Sequence, residues 1–296
     1  MAWAQSRRRS RKRGWFGRIV GWIIRAFFIF VIGSLLWVLA YRFVPPPITF
    51  TMIGDLIEGR GLHKQWMSLD EIDRDMPRAA IAGEDGKFCH HRGFDTDAIV
   101  AAMRRNAEGG RIRGGSTISQ QTAKNAFLWQ NGGYFRKGLE AWFTLLIEQI
   151  WGKRRIMEVY LNLAETGIGT YGVNAGAQRY FGHDASNMTS IEAARIAAVL
   201  PLPKKRGAIA PQGFARRYGN MIAARMGVVS RDSLDGCIYR GRAGPSERPM
   251  VPAAGRPKHA HPAPPQRLPG EEYEQPQGAM PPVERQAPAP ADVNGM

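Results

Sequence analysis

Apolar residues run almost unbroken from Ile19 to Phe43, reading IVGWIIRAFFIFVIGSLLWVLAYRF. A bilayer span takes about 20 mostly apolar residues. The one charge well inside the run, Arg25, lies near its start, where a long side chain can snorkel to the interface. Trp22, Trp37 and Tyr41 suit the interfacial belts. Ala40-Tyr41-Arg42-Phe43 followed by three prolines is a poor signal-peptidase site, so the pattern predicts an uncleaved transmembrane helix over 19–43.

Beyond Pro47 the periodicity becomes helical. Pro77 suits the first turn of a helix that reaches Glu84. Asp95 can cap a helix through Ile99, Met103 and Asn106 that ends at Gly109-Gly110. Further helices follow over about 117–128, 135–151 (Leu139, Phe143, Leu146 and Ile150 at helical spacing) and 153–163. Ser68 with Glu71, and Thr189 with Glu192, have capping-box spacing, the second before an Ala-rich helix ending at Pro201. Alternating strand patterns are scarce; Ile48–Ile53 is the one short strand expected. The fold class is therefore mainly α behind one membrane helix.

Charge sharpens this picture. The chain has 296 residues and a formal charge of +16. Nine basic residues, among them Arg7, Arg8, Arg9, Arg11, Lys12 and Arg13, precede Pro45 with no acidic residue between them. Beside an apolar span, such a cluster is an orientation signal that keeps the N-terminus cytoplasmic, and no nucleic-acid partner is expected. Residues 241–296 hold most of the 20 prolines and few large apolar residues, a composition that cannot offset ordering entropy. The organisation expected is a basic cytoplasmic segment at 1–18, a span at 19–43, a globular domain at 44–240 and a disordered Pro-rich tail at 241–296. Cys89 and Cys237 lack metal-ligand spacing, and sequence does not tell whether they meet.

Three stretches could carry chemistry. Glu84 and Asp85 stand at the C-terminal end of an apolar helix, where the helix dipole disfavours carboxylates; an ordinary solvated acidic pair is the simpler alternative. Gly114-Gly115-Ser116-Thr117 opens a helix whose free N–H groups favour an anion. It places Gln120, Gln121 and Lys124 on one side, a set equally suited to a capped polar surface. Lys137, Glu140, Thr144 and Glu148 form a stripe at three- and four-residue steps, which a solvated ion-pair face would also explain.

Taken together, these stretches resemble the peptidoglycan glycosyltransferases. Glu84-Asp85-x-x-Phe88-x-x-His91-x-Gly93-Phe94-Asp95 is similar to one family signature, and Gly114-Gly115-Ser116-Thr117-Ile118-x-Gln120-Gln121-x-Ala123-Lys124-Asn125 to another. So are Arg136-Lys137-x-x-Glu140, Lys153-x-x-Ile156-x-Glu158-x-Tyr160-Leu161-Asn162, and Gly172 through Tyr180-Phe181-Gly182 to Glu192-Ala193-Ala194. Order and spacing agree from about Trp66 to Pro203, and no transpeptidase signature follows, as in the monofunctional biosynthetic transglycosylases. Two departures are Gly132-Gly133, where relatives often carry a basic residue, and Ser119 in place of Thr.

The resemblance implies a lysozyme-like helical domain that polymerises lipid II, in the bacterial inner membrane with its catalytic domain in the periplasm. It implies catalytic roles for Glu84, as general base, and Glu140, as organiser of the pyrophosphate cations Lys124, Arg136 and Lys137 or of a divalent metal. Mg²⁺ or Mn²⁺ is the metal that a free carboxylate's oxygens would suit. Ser116, Thr117, Gln120, Gln121, Asp85 and His91 complete the substrate-binding set. Beyond lipid II and the growing lipid-linked glycan, the partners implied are other cell-wall synthesis and division proteins. A lytic muramidase shares helices and an acidic catalyst but has no pyrophosphate to neutralise. A non-enzymatic scaffold explains the anchor and tail but not the motif spacing.

Overall fold

The computed structural model describes residues 15–107 and 115–239. The cluster Arg7–Arg13, the Gly109-Gly110 helix end, Gly114 and the tail from 241 lie outside those residues. Helix α1 (Trp15–Phe43) is long and apolar enough to cross a membrane; at 1.5 Å per residue it extends about 43 Å. Most of its side chains face outward. Only Ser34 and Val38 are buried, where the helix meets the globular region. There Trp142 Nε1 donates to Ser34 Oγ (3.1 Å), Trp151 Nε1 donates to the Val38 carbonyl (2.7 Å), and Trp37 sets its edge on Phe127.

The helices that follow are α2 (Phe50–Ile57), α3 (Asp75–Glu84), α4 (Thr96–Ala107), α5 (Ile118–Phe127), α6 (Gly133–Ile150) and α7 (Gly152–Leu163). After them come α8 (Val173–Phe181), α9 (Ser190–Val199), α10 (Gly213–Arg231) and α11 (Gly236–Tyr239). A small sheet has the order β1 (His63–Lys64), β3 (Thr170–Tyr171), β2 (Glu165–Gly167). In it β3 runs parallel to β1, with Lys64 opposite Tyr171, and antiparallel to β2. Helices α3, α9 and α10 pack on one another, and α5 lies against both α6 and α7. Ile81, Phe88, Ile118, Phe127, Ile147, Ile156 and Tyr160 are fully or almost fully buried in one continuous core.

Local chemistry sets the helix ends. Thr117 and Thr189 each accept from the N–H three residues on, while the Gln120 and Glu192 side chains accept from the two cap N–H groups, making both capping boxes complete. Asp95 Oδ1 accepts from Ala98 N at the start of α4 (3.0 Å). Glu71 Oε2 accepts from Ser68 N (3.0 Å) and Ser68 Oγ (2.8 Å), while Glu71 N donates to the Ser68 carbonyl rather than its hydroxyl; the contact closes a turn, and α3 begins only at Asp75. The strand expected over Ile48–Ile53 is instead the entry to α2. Ile48, Phe50 and Met52 alternate with polar residues, yet Thr49 caps a helix whose inward positions, Thr49, Met52 and Asp55, recur at three-residue steps. Buried partners override β-propensity here.

The C-terminal stretch of the described domain is fastened by polar contacts. Arg78 Nε donates to Asp235 Oδ2 (2.9 Å), Arg154 Nη1 to the Ile238 carbonyl (3.1 Å), and Arg74 lies 4.4 Å over the Tyr239 ring. Cys89 and Cys237, 148 positions apart, form a disulfide. It joins the loop after Glu84 to α11.

A cross-link over so long a loop narrows the unfolded ensemble, typically worth about 2–4 kcal/mol. For a domain of this size each kcal/mol shifts Tm by about 2–4 °C, so Cys237→Ser should melt roughly 5–15 °C below the parent. Differential scanning fluorimetry under non-reducing conditions checks this, and equal melting temperatures would contradict it.

Candidate active site

Glu84 is the last residue of α3 and Asp85 caps its end, so the two carboxylates point in different directions. Asp85 turns inward. Its Oδ2 accepts from Ile118 N (3.0 Å) at the start of α5, and both its oxygens lie within 3.0 Å of His91 Nε2. His91 Nδ1 accepts from Gly93 N (3.1 Å), which leaves the ring proton on Nε2, facing Asp85. Thr117 Oγ1 donates to the Gly93 carbonyl (2.6 Å), and Thr117 N donates to Gln120 Oε1 (3.0 Å). The helix terminus read from sequence as open to an anion is therefore filled in part from within: Ile118 N is taken by Asp85, Thr117 N by the Gln120 side chain and Gln120 N by Thr117 Oγ1, and Asp85, His91, Thr117 and Gln120 bind one another across the two motifs.

Glu84 faces α5. Its Oε2 accepts from Gln121 Nε2 (2.9 Å), whereas its Oε1 is buried with no hydrogen-bond partner among the described residues. Burial raises the Glu84 pKa above the ordinary carboxylate value. The Gln121 hydrogen bond and the charges of Arg206 and Lys124 act in the opposite direction, and Asp85 adds to the rise. Tyr218, on α10, donates to the Gly83 carbonyl (2.7 Å) and fixes the last turn before Glu84. Tyr160, on α7, is fully enclosed. Burial, then the Glu84 charge, hold its phenol protonated well above its usual range.

One turn along α5 from Gln121 stands Lys124. Burial lowers its pKa, and it interacts electrostatically with Glu140, Arg136, Lys137 and Glu84. Glu140, on α6, is 2% exposed. Its Oε2 accepts from Arg136 Nη1 (2.8 Å) and its Oε1 from Lys137. Lys137 also reaches Ser116 Oγ (3.4 Å) at the mouth of α5. Arg136 Nε is buried without an acceptor among the described residues. The fold thus brings Glu84, Gln121, Lys124, Glu140, Arg136, Lys137 and Ser116 into one connected set.

The two departures from the family pattern have structural roles. Gly132 caps α6 at φ 129°, and a Cβ there would come within 2.9 Å of Trp129 Nε1 and 3.0 Å of Arg136 Cβ. Glycine is needed for the turn that presents Arg136. Ser119 is fully buried and donates to Glu148, which also pairs with Lys153 (2.7 Å). That end of the Glu140–Glu148 stripe is internal, and Lys153 sits 4.6 Å over the Phe88 ring. Arg206 and Tyr218 escape a sequence reading. They lie more than a hundred positions after Glu84, and nothing local in Pro203-Lys204-Lys205-Arg206 marks the approach to Glu84.

A resident metal does not fit Glu140. Both its oxygens hold cations, and among the described residues no three His, Cys, Asp or Glu side chains converge to ligate an ion. A concavity of about 660 Å³ between α9 and α10 is lined by Arg195, Arg216 and Ile191, and by none of the residues expected to carry catalysis or to bind substrate.

The family model described as Transglycosylase matches residues 51–227. A protein of Caulobacter vibrioides named biosynthetic peptidoglycan transglycosylase is 50% identical over 216 residues, covering 73% of this chain and 94% of its own. Namesakes in Xanthomonas campestris pv. campestris strain B100 (49% over 207 residues, 68% and 84% covered) and Rhodospirillum centenum (48% over 200 residues, 67% and 87%) are similar.

The buried Glu84 carries a stability consequence. Its pKa is higher folded than unfolded, so its contribution is most favourable below the unfolded value and is lost as pH rises through the folded value. Gln cannot ionise and can still accept from Gln121. Glu84→Gln should therefore melt above the parent at pH 8, with the gap closing towards pH 4. Thermal melts across that range check this, and a variant less stable than the parent at pH 8 would contradict it.

Proposed function

This chain belongs to the transglycosylase family, and from that membership we propose that Glu84 is the general base of its glycan polymerisation and that Lys124, Arg136 and Lys137 receive the departing pyrophosphate. The enzyme is a peptidoglycan glycosyltransferase: it polymerises lipid II into β(1→4)-linked strands with release of undecaprenyl pyrophosphate. The 4-hydroxyl of the acceptor sugar attacks the anomeric carbon of the donor muramyl unit. As that C–O bond forms, the bond from the anomeric carbon to pyrophosphate oxygen breaks and its electron pair leaves with the pyrophosphate. The hydroxyl proton passes to Glu84, and the α-linked donor becomes a β-linked product.

The observation that carries this reading is the asymmetry of the Glu84 carboxylate. Gln121 holds Oε2 in place, while Oε1 is desolvated and short of a donor. An acceptor hydroxyl is the kind of donor it lacks. The upward pKa shift brings the base closer to working pH, where general-base transfer is most effective. On the leaving-group side, Arg136 and Lys137 bond to the buried Glu140 carboxylate and Lys124 lies within its electrostatic reach, an excess of positive over negative charge that suits a pyrophosphate. Arg136 Nε supplies a donor with no acceptor of its own. Glu140 positions Arg136 and Lys137. Asp85 and His91 hold the loop that follows Glu84, and Ser116 contacts Lys137 beside the same pocket of charge.

A single-pass orientation with the N-terminus in the cytoplasm has two supports. The basic flank before α1 favours the cytoplasmic side. The Cys89–Cys237 disulfide belongs to an oxidising compartment outside the cytoplasm. A reporter enzyme active only outside the cytoplasm, fused after Tyr239, should be active in intact cells. A stably made but inactive fusion would contradict the orientation.

In assays with labelled lipid II, Glu84→Gln should lose about 10²–10⁴-fold or more in polymerisation rate while retaining its fold and its affinity for a donor-site inhibitor. Lys124→Ala should lose rate more than stability. A Glu84→Gln protein working near the parent rate would pass the role of base to Glu140.

A further inference from the structure

Helix α2 is amphipathic in the reverse sense for a helix packed on a protein. Its inward positions are Thr49, Met52 and Asp55, with Asp55 only 1% exposed. Its outward positions are Phe50, Ile53, Leu56 and Ile57, the last 81% exposed. Informative departures from ordinary burial are a buried charge and an exposed run of large apolar side chains, and α2 shows both.

The inward face is fixed by charge. Asp55 Oδ1 accepts from Arg60 Nε (2.8 Å), Arg60 Nη2 (2.6 Å) and Lys204 Nζ (2.8 Å), and Oδ2 accepts from Tyr171 Oη (2.6 Å). Burial opposes its ionisation, but the bonds to Lys204, Tyr171 and Arg60 prevail and its pKa is lowered. Rolling the helix to hide its apolar side would break four such bonds, so the apolar side is held outward.

We propose that α2 is an interfacial helix whose outward face seats in the lipid surface on the enzyme's side of the membrane. The inference rests on reading α1 as a membrane span. Three observations select lipid as the occupant. Only Val44 to Thr49 separates α1 from α2, and six residues reach at most about 20 Å, so α2 stays close to the end of the span. Ile48, inside that connection, is itself exposed. The apolar surface continues beyond the helix onto Trp129, whose ring meets the Phe50 ring edge-on at 6.5 Å, and Trp is the side chain suited to a headgroup boundary. Through Asp55 and Lys204, this lipid-facing helix is tied to the loop that carries Arg206 beside Glu84.

The full-length protein can be tested in vesicles of phosphatidylethanolamine and phosphatidylglycerol. Among the described residues both cysteines are paired, so single introduced cysteines can be labelled with an environment-sensitive fluorophore without reduction. Labels at Ile53→Cys and Ile57→Cys should lose most of their emission to a lipid-borne nitroxide and little to aqueous iodide. A label at Ile191→Cys, on exposed α9, should show the reverse. A label at Phe28→Cys separates the two readings: if it is quenched from the lipid while both α2 labels are quenched only by iodide, α1 spans and the α2 proposal alone is overturned. If the Phe28 label too is aqueous, the span reading fails and the proposal falls with it. α2 labels shielded from both quenchers, or shielded only at high protein-to-lipid ratio, would mean that another protein or a second copy covers the face, which also overturns it.

Discussion

The hydrogen bonds of one carboxylate organise the active region. Asp85 accepts from Ile118 N at the start of α5 and from His91 Nε2 in its own loop. A helix N-terminus carries unpaired N–H groups and a positive dipole end, so a buried carboxylate is stabilised there. That contact fixes α5 relative to the end of α3, and with it the position of Glu84 opposite Gln121. Lys124, on the next turn of α5, then lies within electrostatic reach of both Glu84 and Glu140. Without the Asp85 lock, base and cations would sit on elements free to shift against each other.

Around that lock the protein keeps several ionisable groups away from water. Glu84, Lys124 and Glu140 all ride on helices that also carry the core, with Ile81, Ile118, Phe143 and Ile147 among the buried side chains. Desolvation raises the Glu84 pKa and lowers that of Lys124. Both shifts oppose the charged forms that catalysis requires, so activity is held at some expense of stability. The disulfide and the Arg78–Asp235 contact secure the loop and the C-terminal segment beside the site, which limits the backbone movement that would let water in.

Much of this was legible in the sequence because its causes are local. The caps at Thr117 and Thr189 depend on residues three positions apart, and the end of α3 at Glu84 and the apolar stripe of α6 follow helical spacing. Features with distant causes were not legible. Helix α2 looked like a strand because its alternation is local, whereas the donors that hold Asp55 inward come from Tyr171 and Lys204. The N-terminus of α5 looked open to an outside anion because its real acceptor, Asp85, lies 33 positions earlier. Still longer separations hide the Cys89–Cys237 pair, 148 positions apart, and the approach of Arg206 to Glu84. The spacing of the motifs pointed to Glu84 and the cations, but the division between internal fasteners (Asp85, His91, Gln120) and groups with unmet hydrogen-bonding capacity (Glu84, Arg136) needed the fold.

The central claim is that a buried, singly tethered Glu84 takes the acceptor proton. The pH dependence of kcat/KM for lipid II polymerisation, compared between the parent and Gln121→Leu, tests it most directly. A base must be ionised, so the rate should fall as pH drops through the Glu84 pKa, and burial places that acid limb above the range of an ordinary carboxylate. Removing the Gln121 hydrogen bond withdraws support from the ionised form and should move the limb to still higher pH. An acid limb at the ordinary carboxylate position, unmoved by Gln121→Leu, would contradict the account.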